Sequence, residues 1–161
     1  MPRALLDKVL AARTFDAGFA AVEFTASALV DMAFHSPQGA AAMAEDGADP
    51  IAFERAVLER IGLPDAIAMR HRTPHFLHVF SGDGYSAGYY SYMWSEVLDA
   101  DAFGAFEEAG DPFHSETAAR LREHVYARGG AAKPDETYRR FRGREPDPEA
   151  MLVKRGLKDA A

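Results

Sequence analysis

His78-Val79-Phe80-Ser81-Gly82-Asp83-Gly84-Tyr85-Ser86-Ala87-Gly88-Tyr89-Tyr90-Ser91-Tyr92-Met93-Trp94 holds three glycines, four tyrosines, one histidine and the only tryptophan of the chain. Glycine permits positive φ and lets a ligand approach the main chain closely. A glycine-spaced loop that opens into a tyrosine-bearing segment therefore reads as a binding surface. Tyrosine places a phenolic donor on a rigid apolar ring, which suits a site that grips a peptide carbonyl in partly dry surroundings. The spacing predicts a helix from about residue 86 to 98. On a helix over 85–96, Tyr85, Tyr89, Tyr92 and Glu96 share one face, while Tyr90, Met93 and Val97 form a core stripe on another. Tyrosines that merely cover a half-buried helix give the same stripe.

Toward the N-terminus, Leu5, Leu6, Val9, Leu10 and Ala12 recur at helical spacing within residues 3–13, and Asp16 stands where it can cap the next helix. That helix, residues 17–35, places Phe19, Val22, Ala26, Leu29, Val30 and Ala33 on its core face and ends at Ser36-Pro37, because a residue before proline is driven out of the α region. Residues 36–48 read as a polar, small-residue connector. Asp49-Pro50 starts a helix that runs to Ile61 and ends at Gly62, and residues 64–74 are irregular.

Toward the C-terminus, residues 99–108 form a short helix. Ser115 caps a helix to Arg128 that Gly129-Gly130 terminate. Asp135 starts one to Arg142, and Asp147-Pro148 starts the last, closed by Gly156. With no strand longer than a few residues, no internal repeat and no heptad seam, the fold class is all-α, with many short capped helices.

The 161 residues, 48% hydrophobic, suffice for a single helical domain or a fragment of a larger one. A formal charge of −7 excludes a general nucleic-acid binder, which needs clustered positive charge. The absence of cysteine excludes disulfides and thiolate metal sites and fits a cytoplasmic protein. Charged residues throughout the N-terminal segment leave no signal peptide or membrane span. The chain enters its first helix with no leading strand or loop, as expected of a sequence that starts in the middle of an architecture.

His71, His75 and His78 have the spacing of metal ligands on an unbroken helix, but Pro74 breaks that helix and no HExxH is present. A hydrogen-bonded polar role is the expectation for at least one of them. His35, His114 and His124 read as helix-end or surface residues. Arg139, Arg140, Arg142 and Arg144 lie among Asp135, Glu136, Glu145 and Asp147, so salt-bridged structural arginines are expected rather than a phosphate site. Nucleophile elbow, P-loop and dinucleotide motifs are absent.

Residues 15–36, FDAGFAAVEFTASALVDMAFHS, residues 78–103, HVFSGDGYSAGYYSYMWSEVLDADAF, and residues 141–157, FRGREPDPEAMLVKRGL, resemble in this order the C-terminal portion of the thimet-oligopeptidase family of zinc metallopeptidases. The likeness runs from about Leu5 to Leu157 and points to the branch of bacterial peptidyl-dipeptidase Dcp and oligopeptidase A. The resemblance implies an all-α, two-lobed, neurolysin-like peptidase in which an HExxH helix and a later Glu hold zinc across the cleft from the glycine loop. It assigns Tyr85 and Tyr92 to the substrate carbonyl and the oxyanion, and His78, Gly82, Gly84, Gly88 and Tyr89 to substrate binding. The spacing from His78 to the first tyrosine is longer here, with Asp83 between two glycines where family members often have consecutive ones. The zinc ligands and catalytic Glu fall upstream of the matched segment, so no metal is expected on residues of this chain.

The implied function is the substrate-binding segment of a peptidase of short peptides, inactive by itself. Its implied partners are short peptides, a zinc-binding segment or partner chain, and a second copy through self-association. The alternatives are a non-catalytic helical peptide-binding protein, such as a gene remnant, and one half of a split peptidase.

Overall fold

A computed structural model describes residues 1–159, and every regular element among them is helical. The α-helices are α1 (Arg3–Ala12), α2 (Ala17–Phe34), α3 (Pro37–Met43), α4 (Pro50–Arg60), α5 (Leu77–Phe80), α6 (Ser91–Glu108), α7 (Ser115–Leu121), α8 (Pro134–Arg142) and α9 (Glu149–Lys154). Single 3₁₀ turns cover Thr73–His75 and Asp83–Tyr85, and a π turn, Arg122–Tyr126, follows α7. Two compact units emerge, one from Met1 to Tyr92 and one from Met93 onward.

In the first unit, Ala28, Val30 and Phe34 of α2 pack with Val57 of α4 and with Met69, Phe76, Val79 and Tyr89. This differs from the predicted α2 face: Phe19, Val22 and Leu29 are exposed, and the buried side runs through Ser27, Val30, Asp31 and Phe34. The helix is apolar on nearly every side, so periodicity could not choose between faces. The choice is made by Asp31, whose fully buried carboxylate accepts backbone N–H groups from the glycine-tyrosine loop. Residues 3–34 together have the length and mean hydropathy of a bilayer-crossing stretch. They nonetheless fold as two helices, with Asp16 between them in the left-handed region and without the predicted side-chain cap.

The expected connector at 36–48 contains a helix. Ser36 ends α2 and begins α3, its Oγ accepting from Gly39 N at 3.0 Å, and Pro37 supplies a preset φ at the first helical position. Gly39 is buried against α2, where an added Cβ would lie 2.7 Å from the Phe34 carbonyl oxygen and closer still to that of Ala33. Gly39→Ala is therefore expected to destabilise the chain by about 1–3 kcal/mol through overpacking against backbone that cannot rotate away. An unchanged thermal midpoint would refute that packing. At Asp49 the predicted cap is present: Oδ1 accepts from Ile51 N at 2.8 Å and Ala52 N at 3.2 Å. Gly62 closes α4 at φ +70°.

In the second unit, Val97, Ala100 and Met151 form a small core. The interior polar centre is Asp101, buried on α6, which accepts from Tyr138 Oη at 2.6 Å and pairs with Arg142 and Arg144. Arg142 also holds Glu108, and Arg139 pairs with Asp135 and Glu145, so Arg139, Arg142 and Arg144 are salt-bridged as expected, although Arg142 and Arg144 take acids of α6 rather than the neighbouring ones. Burial alone would raise the Asp101 carboxyl, but the bonds from Tyr138, Arg144 and Arg142 outweigh it and hold it below the ordinary aspartate range. In place of the single helix expected over 115–128, α7 widens into the π turn, closed by Ala127 N donating to Arg122 O at 2.8 Å. The cap is His114, which accepts from Thr117 N, rather than Ser115.

Candidate functional site

The predicted site residues all lie on one short path through the first unit. Buried Glu54 of α4 accepts from Arg72 Nε and from Thr73 N, which anchors the chain just before the 3₁₀ turn and Phe76. From there α5 carries His78, and the glycine loop returns toward Tyr92 at the start of α6. Ser86 braces the return by offering its hydroxyl to Val79 O at 3.3 Å and Gly82 O at 3.2 Å.

The α-helix predicted from residue 86 begins instead at Ser91. Tyr85 sits in the 3₁₀ turn and Tyr89 in the link beyond it, so the tyrosines converge through a loop rather than along a helical stripe. Tyr90, assigned to the core stripe, is exposed, and Tyr89 takes the interior place. The reason lies at Ala87, which adopts φ +56° and turns the backbone before a helix can form. None of Gly82, Gly84 and Gly88 lies in the left-handed region, and Gly82 is extended. At Gly88 an added Cβ would lie 3.1 Å from Tyr85 O, which its own N–H contacts at 2.9 Å.

His78 is the hub of this path. Its Nε2 and the Tyr92 hydroxyl share a 2.8 Å hydrogen bond, and its ring lies 4.7 Å from Tyr85, 5.7 Å from Tyr89 and 5.6 Å from Tyr92. Tyr89, only 8% exposed, packs against Phe24 and Phe76, each at 5.0 Å, and burial pushes its phenol upward. Tyr85 and Tyr92 are 57% and 46% exposed. One tyrosine is thus structural support, and two present phenols outward beside an imidazole. Chemically this arrangement can donate two hydrogen bonds to a carbonyl oxygen when His78 donates from Nε2 to the Tyr92 oxygen, which leaves the Tyr92 O–H free.

Sequence reasoning missed the support beneath these groups. Asp31 accepts from Ala87 N and Tyr89 N, both at 2.9 Å, and its Oδ1 lies 2.8 Å from His35 Nδ1. His35, read as a helix-end residue, also packs against Phe80 of α5 at 5.3 Å. A carboxylate inside the otherwise apolar run Ala28–Phe34 was the available signal, since a buried charge requires partners.

Among the described residues no group of three His, Cys, Asp or Glu side chains could hold a metal ion. His71 stacks on Phe76, His75 closes the 3₁₀ turn, and His78 is engaged by Tyr92. The described residues do not fit a zinc site.

The model of peptidase family M3 matches residues 1–157. The chain belongs to peptidase family M3. Oligopeptidase A of Escherichia coli is 38% identical to this M3 chain over 159 residues, and a probable cytosolic oligopeptidase A of Arabidopsis thaliana is 40% identical over 167. Dipeptidyl carboxypeptidase of Escherichia coli is 36% identical over 157 residues. Each of these alignments covers 98% of the M3 chain but only 22% of the relative. The all-helical structure fits a segment of a thimet-oligopeptidase-like peptidase.

Proposed function

We propose that this chain forms the peptide-gripping wall of an M3 peptidase site, with the zinc ligands and catalytic Glu supplied by the HExxH-bearing part of the family architecture. The observation that carries this reading is the His78–Tyr92 hydrogen bond, with two outward phenols around one imidazole. Tyr85 and Tyr92 donate to the scissile carbonyl and to the negative charge that develops on it. His78, by donating from Nε2 to the Tyr92 oxygen, polarises that phenol as a donor. Tyr89 holds the wall in register, and the backbone around Gly82, Gly84 and Gly88 lies along the peptide. The substrates are short peptides and the compartment is the cytoplasm.

A second surface supports an obligate covering. Leu5, Val9, Leu10, Phe15, Phe19 and Val22 are all exposed along α1 and α2. Exposed apolar side chains in this number call for the zinc-bearing part or, failing that, a second copy.

The test pairs fluorescence anisotropy with a labelled short peptide and a hydrolysis assay of the pure chain with added zinc. Peptide binding without turnover is the expected result. Zinc-dependent hydrolysis by the pure chain, or no binding of any short peptide, overturns the reading.

A further inference from the structure

We propose that Asp31, assisted by His35, is a positioning residue of this site: one buried carboxylate fixes both the tyrosine loop and the helix that carries His78. The proposal rests on the peptide-gripping reading for its functional consequence and on geometry for its structural one.

Asp31 has no exposed surface, and its two oxygens are divided between the N–H groups of Ala87 and Tyr89, which belong to the loop 56 and 58 residues away in sequence. Between those two contacts the chain carries Ala87 at φ +56°, a conformation that an L-residue with a Cβ adopts only at a cost of about 1–2 kcal/mol. Two charge-assisted hydrogen bonds that bracket the strained residue are the means of holding it there. Relaxation of Ala87 would let the helix of α6 extend backward and rotate Tyr85 and Tyr89 away from His78. The other end of the device is His35. It bonds Asp31 Oδ1 and packs on Phe80, two residues from His78. The same carboxylate thereby sets both sides of the His78–Tyr92 pair, although it touches neither. A purely structural acid would need only to be satisfied, as Glu54 is by Arg72 and Thr73 N. Asp31 is instead aimed at the one non-glycine positive-φ residue in the loop.

The decisive variant is Asp31→Asn, which keeps the shape but sets an NH₂ against one of the two backbone donors. Amide exchange is expected to quicken at least tenfold at Ala87 and Tyr89 while the amides of α4 keep their protection, and affinity for the labelled peptide is expected to fall at least tenfold. In Asp31→Asn/Ala87→Gly, where the left-handed conformation is no longer strained, much of the lost protection at residue 89 is expected to return, which a merely structural acid would not produce. In the unmodified chain, through-hydrogen-bond couplings should connect Asp31 Cγ to the nitrogens of Ala87 and Tyr89. Should Asp31→Asn fail to fold, His35→Asn, which loosens the pair from the α5 side, is read in its place with an expected threefold to tenfold effect on the same amides.

Unchanged exchange at 87 and 89, equal quickening throughout α4, missing couplings, or unchanged peptide affinity in a variant whose loop has loosened each overturn the proposal. If the unmodified chain binds no peptide, the gripping reading fails, and the amide pattern alone decides whether Asp31 fixes the loop.

Discussion

Tyr92→Phe is expected to lower turnover by about 10²–10³ in a peptidase assembled from this chain and the zinc-bearing part of the family, the usual cost of losing one oxyanion donor. The substitution removes only the hydroxyl. The ring that lies 5.6 Å from His78 and 5.5 Å from Tyr89 is kept, so the wall retains its packing. A donor that acts on charge developing in the transition state should cost kcat and kcat/KM alike and leave KM nearly unchanged. Steady-state kinetics separate the cases: a rise in KM at constant kcat would make Tyr92 a ground-state contact, and no change at all would remove it from the site. Loss of the His78–Tyr92 bond should also appear in the imidazole nitrogen shifts of His78, independently of any assay.

Asp101→Ala should be the most damaging single change to the second unit. It removes a buried carboxylate that receives Tyr138, Arg142 and Arg144, and the Arg142 side chain left behind is itself almost fully buried. Breaking a buried pair from one side costs about 3–5 kcal/mol, and the loss here falls near the lower figure because Glu108 still holds Arg142. For a chain of this size that corresponds to a fall of roughly 10 °C in the thermal midpoint.

The same network predicts an acid response. Asp101 is held low by Tyr138, Arg144 and Arg142 against the opposing pull of burial. Glu96 is held low chiefly by its bond from Arg155, and Glu108 by its bond from Arg142. Carboxyls whose folded pKa lies below the unfolded value contribute stability that is full above the ordinary carboxylate range and is lost as pH falls through the folded pKa. Melting curves at neutral pH and near pH 3 should therefore diverge in the natural chain and diverge less in Asp101→Ala. Equal divergence would mean that Asp101 is not the group responsible.

Local chemistry was legible in the sequence wherever one residue decides the outcome. Asp49-Pro50 announces α4, Gly62 and Gly156 mark helix ends at positive φ, and Asp147 accepts from Glu149 N at 2.9 Å to open α9. Asp135 and Glu145 announced the partners of Arg139 by proximity, whereas Arg142 and Arg144 take Asp101 and Glu108, more than thirty residues away in sequence. Three things were not legible. The buried face of α2 was hidden because Phe19, Val22 and Leu29 are as apolar as the residues that were buried. The start of α6 was displaced by a strained Ala87, a residue whose helix preference points the other way. The Asp31 contacts span more than fifty residues and run to backbone N–H groups, which carry no side-chain signature. The three segments that resemble the metallopeptidases located the tyrosines, whereas nothing in their spacing revealed what holds them.

Among the described residues, α1 buries none of its side chains. A ten-residue helix that draws no free energy from a core stands on its own backbone hydrogen bonds, and isolated helices shorter than about 12–15 residues are marginal in water. In the chain by itself, Arg3–Ala12 should melt well below the rest, exposing the tryptic sites at Lys8 and Arg13 while α2 stays closed. The order of this segment is therefore a gauge of assembly: its resistance to trypsin reports whether its apolar side has been covered, without any need to observe catalysis.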